Sequence, residues 1–293
     1  MTVSESLQEP RPFEQLLPTG MILRGLCWGD DGLPVILALH GWLDNAASFF
    51  RLAPLLAERY QVRALEMAGH GQSDHRPEGC RYHLLDNVDD ILFYMDAAGL
   101  DSVILLGHSM GAAIAGYVAA VNPEVVSRLI LLEGLGSKTS SDDEALQVMR
   151  DAVRDLKRIS QEKRFPLYPD VDAAGKMRAK GIFQMSLPAA TALAERGTKP
   201  FQSGVTWSSD SRLKMSSAMR LNEAMVTSFL KGISAKSLLL YAENGFLSHG
   251  DLLQERARLL EDIDCKQLPG HHHFHMETET VGTVANEINQ FLP

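Results

Sequence analysis

The sequence predicts an α/β fold: a mostly parallel central sheet with helices on both faces and a mostly helical segment inserted between two of its strands. Three observations carry that expectation. Short, nearly all-apolar runs recur along the chain, as strands buried on both faces do. Helical patterns alternate with these runs, as in a parallel sheet built from crossover units. One long stretch, Ser137 to Ile233, holds no clear run of this kind.

The elements follow in order. Pro34–His40 (PVILALH) leads to a helical pattern over Ala47–Glu58, and Gln61–Met67 (QVRALEM) to one over Tyr82–Gly99. Ser102–Gly107 (SVILLG) leads to Met110–Ala120, whose glycines and alanines suit a helix pressed close against a neighbour. Arg128–Glu133 (RLILLE) opens onto the exceptional stretch. There, Asp142–Ile159 and Ser211–Leu230 are amphipathic, Pro166, Pro169, Pro188 and Pro200 interrupt, and Gly197–Asp210 reads as loop. Lys236–Ala242 (KSLLLYA) resumes the sheet, followed by helices over Asp251–Glu261 and Glu277–Phe291. The expected division is a core of residues 1–136 and 234–293 and a helical cap of residues 137–233.

Composition narrows the function. Of 293 residues, 45% are apolar, enough for a large buried core. A formal net charge of −9 repels phosphate backbones and anionic lipid, which excludes nucleic acid and membrane insertion as first expectations. Three distant cysteines, Cys27, Cys80 and Cys265, are no disulfide framework and suit a reducing compartment. The start, MTVSESLQEPRPFEQ, is polar and acidic, unlike a signal peptide, and the apolar stretch from Gly111 to Val121 is too short to span a bilayer. A cytoplasmic protein acting on small molecules is expected. No feature of the sequence fixes an oligomeric state.

Gly107-His108-Ser109-Met110-Gly111 matches G-x-S-x-G, the nucleophile elbow. A strained strand-to-helix turn projects the serine hydroxyl above the sheet, and the flanking glycines let strand and helix approach. The preceding apolar run and the following small-residue helix supply that context; without them the serine would read as an inert turn residue. An attacked carbonyl needs donors for its oxyanion. The Met110 N–H, at a helix N-terminus, is one candidate, and the Trp42 N–H, in the His40-Gly41-Trp42 turn that ends an earlier strand, is the other. His40 reads as structural.

Together HGW, the turn Gly69-His70-Gly71-Gln72-Ser73, GHSMG and the His-rich tract near residue 272 resemble the α/β-hydrolase superfamily over nearly the whole chain. LHGWLDNAASF (Leu39–Phe49) resembles the serine hydrolase-like proteins in particular. The resemblance implies a capped serine hydrolase and no particular substrate.

The order Ser…acid…His places the general base late in the chain. In Gly270-His271-His272-His273-Phe274-His275-Met276-Glu277, the resemblance favours His272, which has a glycine two before it and an acid five after. His271 and His273 are the reserves. The tract is internal, which argues against an affinity tag, and the sequence offers no convergent partners for a metal. The acid is displaced: in YAENGF the superfamily's usual aspartate position holds Gly245. Glu133, ending the apolar run LILL one strand earlier, is the alternative, because a buried carboxylate needs a partner. Glu243 and Asp251 lie nearby but displaced, with Glu243 the second choice, and a loop-stabilising hydrogen bond is the bland role for Glu133. Glu66 stands where the superfamily usually has a structural Asp. Trp42, Phe49, Phe50, Trp207 and the Met-bearing stretches of the cap suit either core or an acyl pocket.

The expected chemistry is carboxylic-ester hydrolysis by Ser109, His272 and Glu133, with Trp42 and Met110 as the oxyanion hole and no cofactor or metal required. Thioester, amide, C–C and perhydrolase chemistry use the same elbow. A non-catalytic binding or interaction protein is the rival from another class.

Overall fold

The computed structural model describes residues 9–162, 166–183, 185–247 and 251–293. Residues 1–8 of the polar N-terminal stretch, and residues 163–165 and 184 of the 137–233 segment, lie outside the described residues.

Eight strands form one sheet, in the order β1-β2-β4-β3-β5-β6-β9-β10. β1 (Arg11–Leu16) and β2 (Ile22–Trp28) make an antiparallel hairpin, and β2 runs antiparallel to β4 (Gln61–Leu65). The remainder is parallel: β4 to β3 (Val35–Leu39), β3 to β5 (Val103–His108), β5 to β6 (Val126–Leu132), β6 to β9 (Ser237–Asn244) and β9 to β10 (Ile263–His271). All five apolar runs are strands. β1, β2 and β10 are additions to the expectation. β1 and β10 lie at the two edges and leave many residues exposed, so their sequences lack the doubly buried signature.

Side chains alternate between two cores. Leu105 of β5 joins one, with α2 (Asp86–Ala97) and α3 (Met110–Val121). Ile104 and Leu106 join the other, with α1 (Leu52–Leu56) and α9 (Val281–Phe291), the helix that follows the short α8 (Leu252–Ala257) and β10. The helix expected over Ala47–Glu58 is a 3₁₀ turn, Ala46–Phe49, followed by the short α1. Pro54 accounts for the break: it has no N–H for the Phe50 carbonyl, and its ring clashes with that carbonyl in a continuous helix.

Between β6 and β9 the chain forms α4 (Ala145–Glu162), α5 (Val171–Ala179), α6 (Leu187–Gly197), a hairpin of β7 (Thr198–Phe201) and β8 (Gly204–Trp207), and α7 (Glu223–Lys231). The expected loop over Gly197–Asp210 is therefore corrected to a hairpin. Its strands are four residues each, too short for a legible period, and its turn places Gln202 at φ 51° instead of using a glycine pair. The stretch Ser211–Leu230 splits into a 3₁₀ turn, Ser211–Lys214, and α7, whose start is capped by the Asn222 side chain on the Met225 N–H.

The inserted segment is fastened to the core by polar contacts. Arg196 of α6 pairs with both oxygens of the fully buried Glu66 at 3.0 Å. Asn45 Nδ2 donates to Leu193 O, and Trp42 Nε1 donates to Leu213 O, each at 2.9 Å. Glu66 also accepts from Ala46 N and Gln72 N, which fits a structural role. Cys27, Cys80 and Cys265 are free thiols. No helix among the described residues is long and apolar enough to cross a membrane.

Candidate active site

β5 is buried along its whole length and delivers Ser109 to the C-terminal edge of the sheet. Ser109 sits at φ 54°, ψ −113°, a conformation that L side chains rarely adopt. The glycines of the motif are sterically required. A Cβ on Gly107 would lie 2.4 Å from the Gly111 carbonyl oxygen, and one on Gly111 would lie 2.1 Å from that of Leu39. The Ser109 N–H donates to Leu132 O at 2.8 Å, tying the elbow to the tip of β6. Met110 opens α3, so its N–H belongs to the unsatisfied first turn, where the helix dipole favours negative charge.

Glu133 follows β6 and is 1% exposed. It too has positive φ, 54°. Its Oε1 accepts from Ala242 N at 2.8 Å, and its Oε2 accepts from Phe246 N at 2.7 Å. The same Oε2 lies 3.0 Å from Nδ1 of His272. With Nδ1–H donating to Glu133, the His272 Nε2 is left to accept a proton. A Cβ placed on Gly245 would fall 2.2 Å from Glu133 Oε1 and 2.4 Å from Oε2. The carboxylate from β6 therefore fills the space that a side chain after β9 would enter. Glu243 is exposed and His271 is exposed, so neither competes for this pair. Asp251 is exposed as well.

Among the described residues no hydrogen bond joins Ser109 Oγ to His272. The link between them runs through His108: its Nε2–H donates to the His272 carbonyl at 2.9 Å, and the two rings are 4.8 Å apart. Catalytic contacts are often loose before substrate binds. Phe183, from the inserted segment, stacks on the His272 ring at 4.3 Å and 28°, and Phe246 meets its edge. A cavity of about 690 Å³ opens on this side of the histidine, bordered by Phe183, Met185, Gly245, Phe246 and Glu277. Glu277 reaches across to accept from Ser186 N at 2.8 Å.

A second acid–histidine pair lies alongside. His273 Nε2 is 3.2 Å from Asp44 Oδ2, and Arg178 of α5 donates to Asp44 Oδ1 at 2.7 Å. Burial pushes the Asp44 carboxyl up, but Arg178 and His273 outweigh it and hold the group well below the ordinary carboxylate range. Burial, reinforced by the neighbouring imidazoles, keeps His108 well below its ordinary value. His273 and His275 are lowered mainly by burial, and His275 pairs with Ser48 Oγ at 3.0 Å. Asp44, His108 and His273 bring three metal-type donors within 4.8 Å of one another, a convergence the sequence did not suggest. Asp44, Arg178 and Phe183 were also unforeseen. Arg178 and Phe183 lie more than a hundred residues from Asp44 in the chain, and no local pattern announces such partners.

An open α/β sheet with a serine elbow at its C-terminal edge and a buried histidine–glutamate pair beside it defines a class, and the sequence match agrees. The chain belongs to the α/β-hydrolase fold family, whose profile matches residues 34–278. It is 28% identical over 292 residues to a serine hydrolase-like protein of Danio rerio, covering 95% of this chain and 88% of that one. The crystal structure of a hypothetical protein from Pseudomonas aeruginosa PAO1 superposes with TM-score 0.89 and 35% identity, covering 97% of this chain and 99% of that one. A thioesterase domain from the curacin biosynthetic pathway gives TM-score 0.83 and 27% identity, covering 97% and 99%.

Proposed function

We propose that the protein is a serine hydrolase that cleaves small, mostly apolar carboxylic esters through an acyl-enzyme. The observation that carries this reading is the His272 Nδ1–Glu133 Oε2 contact of 3.0 Å, formed beside the Ser109 elbow. Ser109 Oγ attacks the ester carbonyl carbon as His272 Nε2 takes its proton. The Met110 and Trp42 N–H groups receive the oxyanion. The tetrahedral intermediate collapses, and the proton passes from His272 to the leaving alkoxide. A water molecule, deprotonated by His272, then releases the acid and restores Ser109. Glu133 fixes the tautomer and stabilises the imidazolium. Residues 137–233 act as the cap that shapes the acyl pocket, with Phe183 over the histidine. The acidic surface and free thiols favour a cytoplasmic setting.

A fluorophosphonate probe is expected to label Ser109, and Ser109→Ala to abolish both labelling and p-nitrophenyl ester turnover. Wild-type turnover by the alanine variant would remove the mechanism. Failed labelling with small-ligand binding retained would favour a non-catalytic binding protein. The likeness to a thioesterase domain favours thioesters as a second substrate class. Comparing acyl-thioester with oxyester turnover at matched chain length decides between them.

A further inference from the structure

We propose that Asp44 is a positioning residue that shapes the oxyanion hole, and that Arg178 of the inserted segment holds it in place. The inference rests on the Ser109–His272 hydrolase reading. Asp44 lies two residues beyond Trp42, the candidate oxyanion donor, and its N–H closes a turn on Gly41 O at 3.2 Å. Leu43, between them, is at φ 62°, so the loop holds a conformation that its own residue types do not favour. Something outside the loop must fix it.

The Asp44 carboxylate does so. It is 1% exposed, and a buried carboxylate persists only where charge and hydrogen bonds compensate it. Both oxygens are compensated by other parts of the site. Oδ1 takes Arg178, 134 residues on and largely buried itself, and Oδ2 takes His273, the neighbour of the candidate base. One side chain thus joins the oxyanion loop, the histidine loop and the inserted segment. α5 presents Arg178 from a helix whose start is fixed by the Asp170 carboxylate on the Ala173 N–H at 2.7 Å. When α5 is not docked, Asp44 is a buried charge without its cation, and the Trp42 N–H loses its fixed direction. The insertion therefore does more than cover the pocket: its docking assembles the oxyanion hole.

A metal at the same place is the competing explanation. Asp44 Oδ2 and His108 Nδ1 are 3.9 Å apart, but a His273 Nε2–H donating to Asp44 Oδ2 at 3.2 Å leaves that nitrogen no lone pair for a metal. Arg178 also supplies the positive charge a metal would otherwise bring.

The test compares wild type, Asp44→Asn, Arg178→Met, Arg178→Lys and the Asp44→Asn/Arg178→Met double variant as full-length protein. Folded sites are counted by fluorophosphonate titration. Both single variants are expected to lower kcat per titrated site by roughly 10- to 100-fold with KM within about threefold, the size of effect a misplaced donor produces. Affinity for a trifluoromethyl ketone, whose adduct carries the oxyanion, is expected to fall in parallel. Arg178→Lys recovers part of the loss. The double variant is no worse than Arg178→Met, because neither charge is left uncompensated. Unchanged kcat per site, unchanged ketone affinity, or multiplying single losses overturns the proposal while leaving the hydrolase reading intact. Stoichiometric zinc in the purified protein, with activity lost on chelation, also overturns it. A wild-type protein that turns over no ester and takes no probe removes the hydrolase reading and this proposal with it.

Discussion

Two adjacent histidines, His272 and His273, each face a buried carboxylate, yet the carboxylates are held in opposite ways. Glu133 is solvated by backbone amides, Ala242 N and Phe246 N, and among the described residues no lysine or arginine pairs with it. Asp44 is matched by the guanidinium of Arg178. Neutral dipoles hold Glu133 in position without cancelling its charge, so an imidazolium at His272 would still gain from it. At Asp44 that gain is already taken by Arg178, and burial keeps His273 below its ordinary proton affinity. The same residue pairing is thus suited to proton transfer in one place and to fixing a loop in the other. On the proposed mechanism, the partner of the carboxylate, more than the acid–histidine contact itself, separates the pair that would move a proton from the pair that would hold a loop.

Glu133→Gln keeps the shape and removes the charge; it is expected to lower kcat by about 10³-fold or more, as loss of a triad acid does elsewhere, while Glu243→Gln stays near wild type. Equal losses, or the reverse order, would move the acid to β9. A smaller but more specific effect is expected from exchanging the two positions. Gly245→Asp alone places a second carboxylate against Glu133 and should destabilise the fold. Glu133→Gly/Gly245→Asp relieves both the overlap and the positive φ at residue 133, and should regain at least 10-fold in kcat over Glu133→Gly. Absence of any recovery would mean that the space beside Gly245 is filled by Glu133 without being equivalent to it.

The gentlest effect is on stability against pH. His40, His70, His108, His273 and His275 are all held below their ordinary values, mainly by burial, and His70 falls to about 3. An unfolded chain protonates them near pH 6.5 while the folded one does not. Stability is therefore full above that pH and falls as the pH drops below it, by about 1.4 kcal/mol per pH unit for each such histidine. Asp90 opposes this between roughly pH 4 and 6, because burial raises its carboxyl to about 6 and the folded state then binds the extra proton. Urea unfolding at pH 8, 7, 6 and 5 should show a flat upper limb and a steep lower one. A stability that rises on acidification would contradict the buried, neutral state of this cluster.

Much of this architecture is legible in the chain because the physics is local. The strand–turn–helix around Ser109 needs small residues at two positions, and the sequence shows them. Glu133 stands out because a carboxylate ending four apolar residues has few ways to exist. Among the four histidines of its tract, His272 is singled out only by the resemblance to the superfamily, through Gly270 before it and Glu277 after it. What is not legible depends on contacts made across the fold. Arg178 meets Asp44, and Phe183 meets His272, only after the insertion packs. β1 and β10 escape notice because an edge strand need not be apolar on both faces. The β7–β8 hairpin escapes because four residues hold too little periodicity to read.

Ser109 and Glu133 share one more property, the positive φ that both adopt at the tips of neighbouring strands. Each conformation costs on the order of 1 kcal/mol or more, which the surrounding sheet absorbs. A glycine at either position would relax that strain while deleting the proposed nucleophile or the proposed acid. In a selection for heat tolerance alone, these two codons are where hardier but inert descendants should accumulate first, so thermal and catalytic screening of this scaffold must be run together.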